Sequence, residues 1–216
     1  MKRIIVNDTT IYSISKAGRR TAFKDRVEAA RLLDNASVDA IELPEFSDDK
    51  TGEILIKSIS SLAKSSAIAV RVPFLAPEYA EKAYSAMKNA VHPRLQIAAP
   101  VSAAQMEFVS HIKPAKLVDA VKAAVEACRK YTDDVEFIAE DAWGGEFSIL
   151  SAEIEAAVES GASIVTLCEC SGVRTYDEVG ALVKRVREEI PGCDKVTLMV
   201  SCSDAFHMDS PALWQR

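Results

Sequence analysis

Apolar runs of strand length alternate with amphipathic stretches along the whole chain. Residues 3–11, 38–43, 67–74, 94–99, 135–142, 163–168 and 195–202 are short, rich in Val, Ile, Leu and Ala, and read as strands. Helical spacing fills the intervals at 24–33, 52–63, 78–90, 115–131, 150–160 and 176–190. In the first of these, Val27, Ala30 and Leu33 make an apolar stripe. Asn35, Gly161 and the Pro191-Gly192 pair supply helix stops. Strands that are each separated from the next by a helix predict parallel pairing through right-handed crossovers. No linker or low-complexity stretch interrupts the pattern, so residues 1–216 are predicted to form a single domain. A βα repeat of about 30 residues suits a barrel or a doubly wound sheet. A dinucleotide fold wants G-x-G-x-x-G after its first strand, and Asp8-Thr9-Thr10-Ile11-Tyr12 has no glycine. The expected fold is therefore α/β: a partial or complete TIM-type (β/α) barrel with about seven parallel strands.

In either architecture ligands bind at the carboxyl ends of the strands. The polar residues collecting there are Asp8, Glu42, Arg71, Glu140, Asp141, Glu169, Ser201 and Ser203. Composition narrows the partners. A net charge of −6 argues against nucleic acid or an anionic membrane, since both select basic faces. No apolar run approaches the ~20 residues of a membrane span, and the first residues lack a signal-peptide pattern, so a cytoplasmic protein is expected. Five cysteines, Cys128, Cys168, Cys170, Cys193 and Cys202, fit reduced thiols there. None forms C-x-x-C. Cys168 and Cys170 share a strand face with His207 shortly downstream, a chemically allowed soft-metal set, but buried structural thiols are the commoner outcome. A Schiff-base mechanism would need a strand lysine facing the barrel; Lys195 only begins a strand, at the end opposite the usual site.

Four segments together carry a family resemblance. They are Asp8-Thr9-Thr10-Ile11; Ser37-Val38-Asp39-Ala40-Ile41-Glu42; Asp134-Val135-Glu136-Phe137 leading into Ala139-Glu140-Asp141-Ala142; and Ser160-Gly161-Ala162 through Gly172 and Asp194-Lys195-Val196 to Val200-Ser201-Cys202-Ser203. In order and spacing the chain resembles the homocitrate and 2-isopropylmalate synthases, whose relatives include the hydroxymethylglutaryl-CoA lyases. The family patterns are D-T-T-L-R-D-G-E-Q, G-V-D-x-I-E, D-V-E-F-S-A-E-D-A, and A-G-A, D-T-V-G, D-K-V and V-H-C-H.

The resemblance implies a metal-dependent condensation of acetyl-CoA with a 2-keto acid. An aspartate of R-D and both histidines of H-C-H would hold a divalent ion that polarises the keto group. Here R-D falls on Tyr12-Ser13 and the histidines fall on Ser201 and Ser203, poor replacements around a divalent ion. Glu140 matches the family's active-site glutamate, Glu42 its second-strand glutamate, and Cys170 the threonine of D-T-V-G. The candidate set is thus Glu140 and Cys170 for chemistry, and Asp8, Glu42, Arg71, Ser201 and Ser203 for holding a small ligand. Neither a metal nor a cofactor is expected.

The family barrel continues past the point reached by Arg216, so the chain is expected to be either a natural partial barrel that lacks the last β/α unit and keeps open sheet edges or a fragment of something longer. The residues from Asp204 on, with Phe206, Met208, Leu213 and Trp214, offer little apolar area to cover such a gap. The leading expectation is a homocitrate-synthase-like accessory or non-catalytic subunit, as a homo-oligomer or a heteromer with a complete family barrel. The alternatives are an acyltransferase completed by a partner chain, and a module that binds a small molecule.

Overall fold

A computed structural model describes residues 4–18, 21–203 and 205, and within them strands and helices alternate. Seven strands lie in one sheet in the order β1-β2-β3-β4-β5-β6-β7. Every described register is parallel. The chain is therefore α/β with the strand order of a (β/α) barrel, as the alternating pattern predicts. It divides into two compact units, Met1–Gln96 and Ile97–Arg216.

The first unit contains β1 (Asn7–Asp8), α1 (Thr10–Lys16), α2 (Phe23–Asn35), β2 (Ala40–Leu43), α3 (Lys50–Leu62), β3 (Ala67–Pro73) and α4 (Tyr79–Ala86). All of β2 and nearly all of β3 are buried on both faces, which is why they read as continuous apolar runs. The α3 helix starts where Asp49 accepts from the Gly52 N–H at 2.7 Å, and it buries Leu55, Ile56 and Ile59. At the end of α2, Asp34 accepts from the N–H groups of Lys64, Ser65 and Ser66 at 2.8–2.9 Å, tying the α3–β3 turn to that helix. Burial pushes its carboxyl up, but these donors outweigh that and hold it below its ordinary value.

One strand differs clearly from the sequence expectation. Residues 3–11 read as a strand, yet the ladder covers only Asn7–Asp8, and Thr10 already begins α1. The cause is local. The Asp8 carboxylate accepts from the N–H of Thr10 at 2.9 Å and from its hydroxyl at 3.2 Å, which turns the chain into the helix. Ile4, Ile5 and Val6 ahead of the strand are exposed.

The division between units falls within β4 (Pro93–Pro100). The second unit continues with the short α5 (Ala103–Gln105), a π turn at Met106–Ser110, α6 (Pro114–Arg129), β5 (Val135–Glu140), α7 (Phe147–Glu159), β6 (Ile164–Glu169), α8 (Tyr176–Glu189) and β7 (Thr197–Cys202). Pro114 occupies the first turn of α6, where no N–H is needed. Thr175 and Glu178 form a reciprocal capping box at the start of α8. Sequence periodicity does not anticipate α5 and its π turn, because three residues are too few to show a helical period. The short α1 is likewise not anticipated, whereas α2, α3, α4, α6, α7 and α8 lie within a few residues of their expected positions.

Candidate functional site

Parallel strands in register present paired residues on one face, so alternation sorts the polar side chains. In the first unit, Asn7 pairs with Ala40, Ala40 with Ala67, and Glu42 with Ala69. Asn7, Glu42 and Arg71 therefore share a face. The Arg94 guanidinium donates to Asn7 Oδ1 at 3.4 Å, which brings Arg94, and Gln96 two residues on, to the same side. Glu42, Arg71, Arg94 and Gln96 are all buried.

Buried charge persists only when it is paired. Arg71 Nη2 lies 3.4 Å from Glu42 Oε2, its Nη1 donates to the Tyr12 hydroxyl at 2.8 Å, and its guanidinium sits 3.9 Å from the centre of the Tyr12 ring. Glu42 and Arg71, both expected at the mouth, are thus brought together. Asp8 is not part of this set: it pairs with Ile41, one residue out of phase with Glu42, and its carboxylate turns to Thr10. Ser13 on α1 is exposed.

In the second unit, Ile138 pairs with Thr166, Thr166 with Met199 and Cys168 with Ser201. Glu140, two residues beyond Ile138, shares their face with Cys168 and Ser201. Deeper on that face, Glu136 is fully buried and accepts from the Thr166 hydroxyl at 2.6 Å. Cys170 and Ser203, just past the ends of β6 and β7, are exposed. Glu169 organises the turn between them. Its carboxylate accepts from the Ser171 hydroxyl, from the Ser171 N–H at 3.0 Å and from the Gly172 N–H at 2.6 Å, while its carbonyl accepts from the Ser203 N–H at 2.9 Å. Gly172 has φ +69°, and a Cβ there would lie 2.4 Å from the Ala205 nitrogen, so only glycine fits.

Arg94, Gln96 and Thr166 join these faces without having been singled out from sequence, and Tyr12, noted there only as standing at the family arginine position, reaches Arg71 from α1. The available signal was polar residues at alternate positions of an otherwise apolar run, as in Arg94-Leu95-Gln96. Among the described residues, no group of three or more His, Cys, Asp or Glu side chains is arranged to hold a metal ion. His207 lies outside the described residues. No helix among the described residues is long and apolar enough to cross a membrane.

Residues 15–209 match the HMGL-like family model, and the chain belongs to that family. Its curated relatives include the 2-isopropylmalate synthase of Rhodopseudomonas palustris strain TIE-1, 31% identical over 208 residues covering 95% of this chain and 39% of that protein. The 2-isopropylmalate synthase of Pelotomaculum thermopropionicum is 28% identical over 96% of this chain and 41% of its own length. The chain thus spans about two fifths of these relatives. Among solved structures, HMG-CoA lyase from Brucella melitensis superposes with a TM-score of 0.72 at 14% identity, covering 97% of this chain and 83% of that one. Hydroxymethylglutaryl-CoA lyase from Pseudomonas aeruginosa gives 0.69 at 14% identity over 93% and 75%. These two likenesses establish the fold.

Proposed function

We propose that this chain is an accessory or non-catalytic member of the HMGL-like family, a cytoplasmic isopropylmalate-synthase-type barrel that keeps a polar ligand face without metal chemistry. The observation that carries this reading is the chemistry at the aligned ligand positions. Ser13, Ser201 and Ser203 are neutral, and Tyr12, at the position of the family arginine, gives its hydroxyl and ring to Arg71. Purified chain incubated with Mg, Mn or Zn and then desalted should retain no stoichiometric ion, and it should release no thiol from acetyl-CoA with 2-oxoisovalerate or 2-oxoglutarate. One tightly held ion per chain, or thiol release that a chelator stops, would overturn the proposal.

A second reading is the family condensation itself, completed by a partner chain. It is favoured by Glu140, which keeps its place in Ala139-Glu140-Asp141-Ala142, and by the likeness to 2-isopropylmalate synthases. Under it, Glu140 and Cys170 are the local contributors to chemistry. Asp8, Glu42, Arg71, Ser201 and Ser203 hold the keto acid. Thiol release that survives chelator and disappears in Glu140→Gln would select this reading.

The proposal includes assembly with a second copy or with a complete family barrel. Its support is at the two ends of the strand order. Ile4, Ile5 and Val6, leading into β1, are 61%, 41% and 51% exposed, and Leu198, Met199 and Val200 of β7 are only half-buried. Apolar edges of this kind invite pairing. Light scattering on dilute protein is expected to give a mass above that of one 23.5 kDa chain. A monodisperse monomer with a cooperative melt excludes self-assembly, and failure to co-purify with a co-expressed 2-isopropylmalate synthase barrel would then exclude the heteromer.

A further inference from the structure

We propose that a cavity in the first unit, lined by none of the residues of the polar sheet face, binds a small monocarboxylate with a short apolar body. The cavity, of about 280 Å³, opens between α1, the start of α2 and the β2–α3 connection. At ~30 Å³ per liquid water it has room for a molecule of fewer than roughly ten heavy atoms. Phe23, Pro44, Leu55 and Ile56 are among its lining residues, and its surface is predominantly apolar although Ser15, Thr21, Ser47 and Thr51 also reach it.

Its unusual feature is Arg26. This half-buried guanidinium lines the cavity, its Nε is buried without an acceptor, and the side chain has no ion pair or hydrogen bond among the described residues. A buried N–H donor left unmade costs free energy that an incoming acceptor recovers, most strongly when the acceptor is anionic. Two carboxylates also line the cavity, but neither is left over for a cationic ligand. Asp49 accepts from the Gly52 N–H through one oxygen and from the Ser47 hydroxyl through the other, at the positive start of α3. Glu45 has a partner of its own. The unmet demand in the cavity is therefore for one acceptor group over an apolar floor. This site is independent of the proposed function, because none of its residues belongs to the polar sheet faces.

Three molecules of one shape separate the contributions: 3-methylbutanoate, 3-methylbutanamide and 3-methylbutylamine, each titrated into 15N-labelled protein. The carboxylate is expected to give saturable shifts centred on residues of α2 and α3, with the amide and the amine weaker by roughly tenfold or more, the scale of one charge-assisted hydrogen bond. Arg26→Gln should reduce the carboxylate to the affinity of the amide, Arg26→Lys should restore part of it, and thermal melts should confirm that both variants fold. Equal binding of amine and carboxylate overturns the assignment. So does unchanged carboxylate affinity in Arg26→Gln, or no saturable binding of any of the three.

Discussion

Replacing Glu153 with leucine is expected to stabilise the protein at pH 8 by several kcal/mol, and by much less at pH 5. Glu153 lies on α7 in the same stripe as Leu150, Ile154 and Ala157, all buried against the interior of the second unit. It is fully buried, and neither carboxylate oxygen has a hydrogen-bond partner among the described residues. The facing helix α6 buries Leu117, Val121, Ala124, Val125 and Cys128, which offer no cation. Burial pushes the Glu153 carboxyl up from 4.5 to about 8.

The direction of the pH effect follows from proton binding. The folded state holds a proton that the unfolded chain releases near 4.5, so between 4.5 and about 8 the folded state binds more protons and stability falls as pH rises. The contribution is complete below 4.5 and lost above about 8. At ~1.4 kcal/mol per pH unit the full loss is on the order of 5 kcal/mol. Urea titrations from pH 5 to 8 read this directly. The wild-type curve should descend, and the Glu153→Leu curve should descend less. Parallel curves would show that Glu153 reaches water or a partner in solution.

The second large effect is expected at Arg71. Arg71→Ala removes the ion pair to Glu42, the hydrogen bond to Tyr12 and the guanidinium over the Tyr12 ring, while leaving the Glu42 carboxylate buried. The cost should be about 3–5 kcal/mol, the usual result of removing one member of a buried pair. Glu42→Gln combined with Arg71→Met should therefore be less damaging than Arg71→Ala, because both charges leave together. Denaturant unfolding of the single and double variants measures the coupling. A double variant as damaged as the sum of its singles would mean that the 3.4 Å pair contributes nothing and that packing of the Arg71 stem sets the cost.

Sequence by itself determined the class of this fold, because its signals are local. Two-residue and 3.6-residue hydrophobic periods show wherever a strand or helix buries one face, and the alternation of the two forces parallel pairing. The same locality made Glu140 with Ala139-Asp141-Ala142, and the serines around Cys202, visible as motifs before any coordinate was known. It also misjudged residues 3–11, since an apolar run marks capacity for a strand, whereas a ladder needs a neighbour along its whole length. Only the tertiary structure decided which charges meet. Arg71 finds Tyr12 across 59 positions of sequence and Glu42 across 29, and no spacing rule relates them. Only the packed structure also shows that Glu153 is buried on all sides while Arg26 lines an open cavity with no ion pair among the described residues. Desolvation depends on everything that surrounds a side chain, and those surroundings come from parts of the chain that the local pattern does not connect.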